Sequence, residues 1–143
     1  MSVRLMRTFY SRLTADTGGG TNPVRTAVSD RIYQAEAPAS SALPLIVFAF
    51  TGSTSTNDFD GNSKVTATVD VTIFGKTEAG IDALALIEEK VHTLMNNQDL
   101  TVDSNYDRAY VRSVSRGSAN LDGEYLRVDS TFTIEGTDTS TAP

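Results

Sequence analysis

The alternation of apolar and polar residues is clearest between residues 64 and 97, where it changes period once. Val65, Ala67, Val69, Val71 and Ile73 alternate with Thr66, Thr68, Asp70 and Thr72, the two-residue repeat of a strand with one dry and one wet face. Beyond Gly75 the apolar residues Ile81, Leu84, Ile87, Val91, Leu94 and Met95 return at steps of three and four, which marks one stripe of a helix. Thr77 is the expected cap, with Glu78 and Asp82 near the positive end of the dipole and Lys90 and His92 toward the negative end. Asn96 and Asn97 can close the helix. Burying five large aliphatic side chains of the stripe contributes on the order of 8–15 kcal/mol against an extended chain. The helix must therefore lie on a sheet, most simply the one holding residues 65–73.

Residues 2–16 carry a second amphipathic pattern, with Val3, Met6, Phe9, Tyr10 and Leu13 on one face and Arg4, Arg7 and Ser11 opposite. The glycines at 18–20 end that helix, and Asn22 resembles a cap with Pro23 at the first position of a short helical turn. Asp30-Arg31-Ile32-Tyr33 and a loop of small residues containing Pro38 lead into residues 43–50. That run is apolar on both parities, as in a strand buried on both sides. Residues 51–63 are polar and read as a long loop or flap, with Phe59 its single aromatic. A polar connection spans 98–107, a weaker strand 110–116, and Asp122-Gly123 marks a hairpin turn. In the last strand Leu126, Val128, Phe132 and Ile134 point one way; Arg127, Asp129, Thr131, Thr133 and Glu135 point the other.

The order α-β-β-α-β-β predicts an α+β domain over residues 1–136. Its expected form is an antiparallel four-stranded sheet covered on one face by the long helix and the N-terminal helix. The polar loop 51–63 projects from it, and residues 137–143 form a flexible tail. The uncovered face, rich in Thr and Asp, is left to water or to another protein.

Composition narrows the function classes. A chain of 143 residues is most simply one domain. A net charge of −6 and a pI near 4.6 argue against gripping nucleic acid through its phosphates, without barring DNA from passing nearby. The charge is uneven: residues 1–37 hold five arginines against three acids, and the remainder seven bases against fifteen acids. A basic arm on an acidic body suggests contact between copies. The absence of cysteine excludes disulfides, thiol nucleophiles and cysteine-ligated metals. The longest apolar run, residues 43–50, is too short to span a bilayer, so the chain is expected to be soluble and to work in a reducing interior or in a particle assembled there.

No catalytic, cofactor-binding or metal-binding constellation emerges. His92 is the only histidine; it aligns with Glu88 and Asn96 off the apolar stripe and has no partner for a triad. Asp58-Phe59-Asp60-Gly61-Asn62 shares part of a calcium loop, but that alignment puts Thr56 at the first position and Ala67 at the twelfth, where a bidentate Glu belongs. The glycines at 18–20 lack the Lys-Ser/Thr of a phosphate loop. Asp99, Asp103 and Asp107 read as a solvated acidic connection.

The order of segments carries more. The Asp30-Arg31-Ile32-Tyr33 segment, the Leu43-Pro44-Leu45-Ile46-Val47-Phe48 strand and the strand-to-helix unit around Asp70 to Leu94 resemble the tail terminator (tail-completion) family of long-tailed bacteriophages. The glycines at 18–20 and the long loop 51–63 depart from the family's pattern. The resemblance implies a non-enzymatic virion protein of the tail-neck region, made in the host cytoplasm, with no cofactor and no membrane partner. It implies a hexameric ring on the tail tube protein that stops tube growth and offers a surface to head-completion or connector proteins, while genomic DNA passes through the pore unbound. On that basis Arg4, Arg7 and Arg12 are candidates for the subunit interface; Asp58, Phe59 and Asp60 for tail or neck docking; and Asp70, Asp129 and Glu135 for the pore lining. The alternatives are another phage neck or tail-tube component on a related fold, or a small soluble ligand-binding domain or enzyme.

Overall fold

A computed structural model describes residues 3–15, 21–38, 41–57, 63–100 and 106–138. Two helices, α1 (Val3–Thr14) and α2 (Pro23–Ala27), precede the short strand β1 (Ile32–Gln34). The long strands β2 (Leu45–Asn57) and β3 (Ser63–Lys76) follow, and a 3-10 turn (Thr77–Ala79) leads into α3 (Ile81–Met95). The remaining strands are β4 (Gln98–Leu100), β5 (Tyr106–Arg116), β6 (Asn120–Asp122) and β7 (Tyr125–Asp138).

The α+β class is as expected, but the four-stranded antiparallel sheet is not. Among the described residues the sheet has seven strands in the order β1-β2-β3-β7-β5-β4, with β6 beside β7. One pair, β1 with β2, is parallel. The four long strands are the ones the periodicity marks; the other three are three residues each, too short to show a period. Strand β7 lies in the middle, paired along one edge with β3 and along the other with β5 and β6.

Much of the expected loop 51–63 is strand. Thr51 to Asn57 continue β2, and β3 starts at Ser63, so residues 58–62 alone of that segment lie outside the described residues. Ser and Thr alternate there without apolar residues to bury, and backbone pairing to β3, as in Thr54 opposite Thr66, holds the extension. The connection 98–107 likewise contributes β4 and the start of β5. Strand β7 runs on through Thr137 and Asp138, the first two residues of the segment expected to fray.

One face of the sheet carries all three helices. Ile46 and Phe48 of β2, Val69, Val71 and Ile73 of β3, Val111 of β5 and Val128, Phe132 and Ile134 of β7 are buried there. They meet Leu84, Ile87, Val91, Leu94 and Met95 of α3, Phe9 and Leu13 of α1, and Val24 of α2. Phe9 sits at the centre of an aromatic group, 5.8 Å from Phe48, 6.0 Å from Phe50 and 6.2 Å from Phe132 between ring centroids. Gly75 lets α3 approach: a Cβ at that position would lie 2.8 Å from Leu84 Cδ1.

Three details of α3 differ from the sequence pattern. Ile81, at the first turn, is 55% exposed, because the 3-10 turn sets the helix start beyond the sheet's reach. The residue preceding the helix is Gly80, at φ +86°, and Thr77 does not cap it. Glu88, expected off the stripe, is buried and points to the sheet, where both its oxygens accept from Arg116: 2.6 Å from Nε and 2.7 Å from Nη2. Those hydrogen bonds and the charges of Glu88 and Glu89 raise the Arg116 pKa further, against the smaller effect of desolvation.

The end of α3 and the start of α2 are closed by asparagines, as the sequence suggests; the glycines expected to end α1 lie outside the described residues. Asn97 adopts φ +54°, and the Asn96 Oδ1 accepts from the Ser113 amide at 2.8 Å, where the β5 register shifts. Asn22 is fully buried and serves two helices at once. Its Oδ1 accepts from the amides of Val24 (2.9 Å) and Arg25 (3.2 Å) at the start of α2. Its Nδ2 donates to the carbonyls of Arg12, Leu13 and Ala15 at 3.2, 2.9 and 2.8 Å, closing α1.

Candidate functional site

Among the described residues, no helix lies on the second face of the sheet. Because β3 and β7 pair antiparallel with Thr72 opposite Asp129, Asp70 opposite Thr131 and Thr66 opposite Glu135, these six side chains stand on that face. The structure thus brings the pore-lining candidates Asp70, Asp129 and Glu135 together on one surface. Two of them are held by neighbours: the Thr131 hydroxyl donates to Asp70 at 3.0 Å and the Thr72 hydroxyl to Asp129 at 2.6 Å. Arg127 donates from Nε to Asp129 Oδ2 at 3.0 Å and from Nη1 to Asp122 at 3.4 Å, and lies 5.6 Å from the Phe74 ring centroid. Partial desolvation raises the Asp129 pKa, but the hydrogen bonds from Arg127 and Thr72 and the Arg127 charge together bring it below the usual carboxylate value.

At the corner of this face the chain folds back over the sheet. Arg31 Nε donates to the Pro44 carbonyl at 2.9 Å and the Ile46 amide to the Arg31 carbonyl at 2.9 Å, tying the two ends of the connecting segment together. Ala35, Ala37, Pro38 and Leu43 stand above Leu45, Val47 and Ala49 of β2. Between them lies a cleft of about 550 Å³, closed along the other side by Asp70, Thr72, Phe74, Tyr125 and Arg127 and bordered by Glu36. The both-parity apolar run at 43–50 was the sequence signal for this feature: Leu45 is buried although it faces away from the helices. What periodicity could not show is that the second cover is a loop, and that it leaves a gap.

The basic candidates separate. Arg7 is exposed on α1 and makes no ion pair among the described residues. Arg12 turns inward, donating from Nε to the Leu94 carbonyl at 3.1 Å and from Nη2 to Gln98 Oε1 at 2.9 Å, so it fastens α1 to the end of α3. The side chain of Arg4 lies outside the described residues, as do Asp58, Phe59 and Asp60.

No group of three or more His, Cys, Asp or Glu among the described residues is placed to hold a metal ion. Ala67, which stands where a calcium loop needs its last ligand, is fully buried in the core. Asp99 lies on β4, Asp103 and the Asp107 side chain lie outside the described residues, and His92 is half-buried in the last turn of α3. No helix among the described residues is long and apolar enough to cross a membrane.

Neither a family model nor a curated protein matches the sequence. Solved structures do match the fold. A chain of the virion of a native gene transfer agent particle superimposes at a TM-score of 0.70, with 16% identity, over 94% of this chain and 95% of that one. A second solved chain superimposes at 0.65, with 13% identity, over 95% of this chain and 96% of its own. The architecture, end to end, is therefore one that a virion component also uses.

Proposed function

We propose that this protein is a structural component of a phage-like virion, and within that class a tail terminator. In this reading it closes into a ring, hexameric by the family resemblance, on the head-proximal end of the tail tube. It stops addition of tube subunits and presents a surface to head-side connector proteins; it has no catalytic role. The observation that carries the proposal is the near-complete fold match to a chain of a gene transfer agent virion, joined to the order of segments that resembles the terminator family.

The molecule suits the role physically. A ring of head-to-tail contacts needs two different patches per subunit, and here the exposed Arg7 of α1 and the open sheet face, with the exposed Glu36 at its corner, lie on opposite sides. Exposed ion pairs contribute only about 0–1 kcal/mol each, so they set register while apolar contacts hold the ring. Asp129 and Glu135 on the open face would keep passing DNA from adhering, since like charge removes the gain from counterion release. Asp58, Phe59 and Asp60, which fall between β2 and β3 in the sequence, are the proposed contacts with the tail or neck.

Particle mass and shape, by native mass spectrometry and negative-stain microscopy with and without tail tubes, test the proposal. A closed ring, free or on tube ends, is expected. Self-propagating filaments would identify a tube subunit instead, and a monomer that ignores tube ends would overturn the assignment. Phe59→Ala should abolish tail joining without unfolding the protein. Tight, salt-sensitive duplex binding by the ring would refute the pore assignment. The cleft of about 550 Å³ favours one second reading, a small ligand-binding domain; ligand-dependent stabilisation of a strict monomer would support it.

A further inference from the structure

The loop-covered cleft has an apolar floor and an acidic border. Glu36 is exposed and makes no ion pair among the described residues, and Asp70 adds a second carboxylate. The one cation among the described residues of its wall, Arg127, is already engaged by Asp122 and Asp129. A matching occupant should therefore present an apolar or aromatic side chain beside a free positive charge.

Among the described residues, the exposed large apolar side chains can be sorted by that requirement. Ile81 stands next to Asp82 and Leu121 next to Asp122, and each would bring like charge to the cleft; Leu86 has Glu89 as well as Lys90 within one turn and so brings no net positive charge; Tyr125 already lines the cleft. Val114 has Arg112 nearby, but Arg112 shares the cleft's own face, opposite Thr133 on β7. Tyr10 remains. It is 44% exposed, it packs one side against Phe48 at 5.8 Å, and Arg7 lies one turn before it on α1 with its charge unspent. Helix α1 is on the opposite face of the sheet from the cleft, the disposition that a head-to-tail contact requires and a two-fold contact does not.

We infer that the cleft is the receptor for α1 of a second copy of this chain, with Tyr10 seated on Leu45, Val47 and Phe74 and Arg7 set against Glu36. This inference rests on the ring reading and specifies the contact that closes the ring. It also explains why an apolar floor is left uncovered in the single chain: the neighbour completes it.

Because the chain has no cysteine, cross-linking tests this directly. Ser11→Cys, exposed one residue past Tyr10, is combined with Ala37→Cys on the cleft's loop and treated with a short bismaleimide. The two positions lie on opposite faces of one molecule, so a link between them joins two molecules. A ladder ending at the ring is expected for the double variant, with peptide mapping showing 11-to-37 links. Single variants giving efficient 11-to-11 or 37-to-37 dimers would show a two-fold contact and overturn the inference. A ring of correct mass with no 11-to-37 link would also overturn it, while leaving the terminator assignment standing. Failure to assemble in solution and on tube ends would overturn both. A charge exchange gives an independent readout should the cysteines perturb folding: Arg7→Glu should shift ring to monomer, and Arg7→Glu with Glu36→Arg should restore it. Loss of the ring without rescue would count against the pairing.

Discussion

The two faces of the sheet are built on different terms. Toward the helices, nearly every inward position is a large aliphatic or aromatic residue buried against α1, α2 or α3. On the opposite side the same strands carry Thr, Asp, Glu and Arg in cross-strand pairs, and among the described residues an apolar floor lies at the corner of β2. A single period-two alternation produces both, so the dry face encodes stability and the wet face is free to encode contacts. Substitutions on the two faces should accordingly separate into those that unfold the protein and those that spoil assembly.

The largest expected effect tests that separation at its extremes. Phe9→Ala removes a fully buried ring packed on three others and should cost about 3–5 kcal/mol. Phe74→Ala, half-buried on the open face, should cost less than half as much in the same urea titration. Equal losses would mean that the open face is a second core. Asn22→Ala should lose about 2–3 kcal/mol, since it removes an N-cap and the donor that closes α1. Asn22→Asp should be no better, because the new carboxylate keeps the cap but faces three carbonyls.

Arg116→Ala strips the partner from a buried carboxylate and should cost about 1.5–3 kcal/mol, more than Glu88→Gln, which leaves no buried charge. On the open face the expected effect is smaller and depends on pH. The Asp129 carboxyl is held below its ordinary value of about 3.8 in the folded protein. Its contribution is therefore complete above that value and disappears as pH falls through the depressed one. Thermal melts of wild type and Asp129→Asn should differ at neutral pH and converge in acid; a gap that persists in acid would exclude this carboxylate as its source. Smallest is Ser130→Ala. The Ser130 hydroxyl is buried on the dry face with no hydrogen-bond partner among the described residues, so its removal should change stability by less than about 1 kcal/mol, in the stabilising direction.

What the sequence disclosed follows the same division. The stripe from Leu84 to Met95 and the alternation through Val65 to Ile73 were legible because burial imposes a period. Asn22 before Pro23 was legible because caps are local chemistry. The strand at 51–57 was not, since Ser and Thr pair through the backbone and carry no hydrophobic signal. Glu88 was misplaced because a charge normally marks the wet side of a helix, and only its distant partner Arg116 reverses that. Arg12 looked like part of a basic surface for the same reason: its acceptors, Leu94 and Gln98, lie more than eighty residues away. The cleft needed two apolar parities at 43–50 and a loop to cover one of them, and a linear pattern supplies the first alone.

The central position of β7 has a consequence for synthesis. Residues 32–76 and 98–122 emerge from the ribosome as two half-sheets with no strand pairing between them, and only residues 125–138 supply the seam. Until then the long edges of β3 and β5 stand open, which makes the nascent chain the state most exposed to aggregation. A stall or truncation before residue 125 should yield insoluble product, and a chaperone that shelters unpaired edges should raise the yield of the full-length chain.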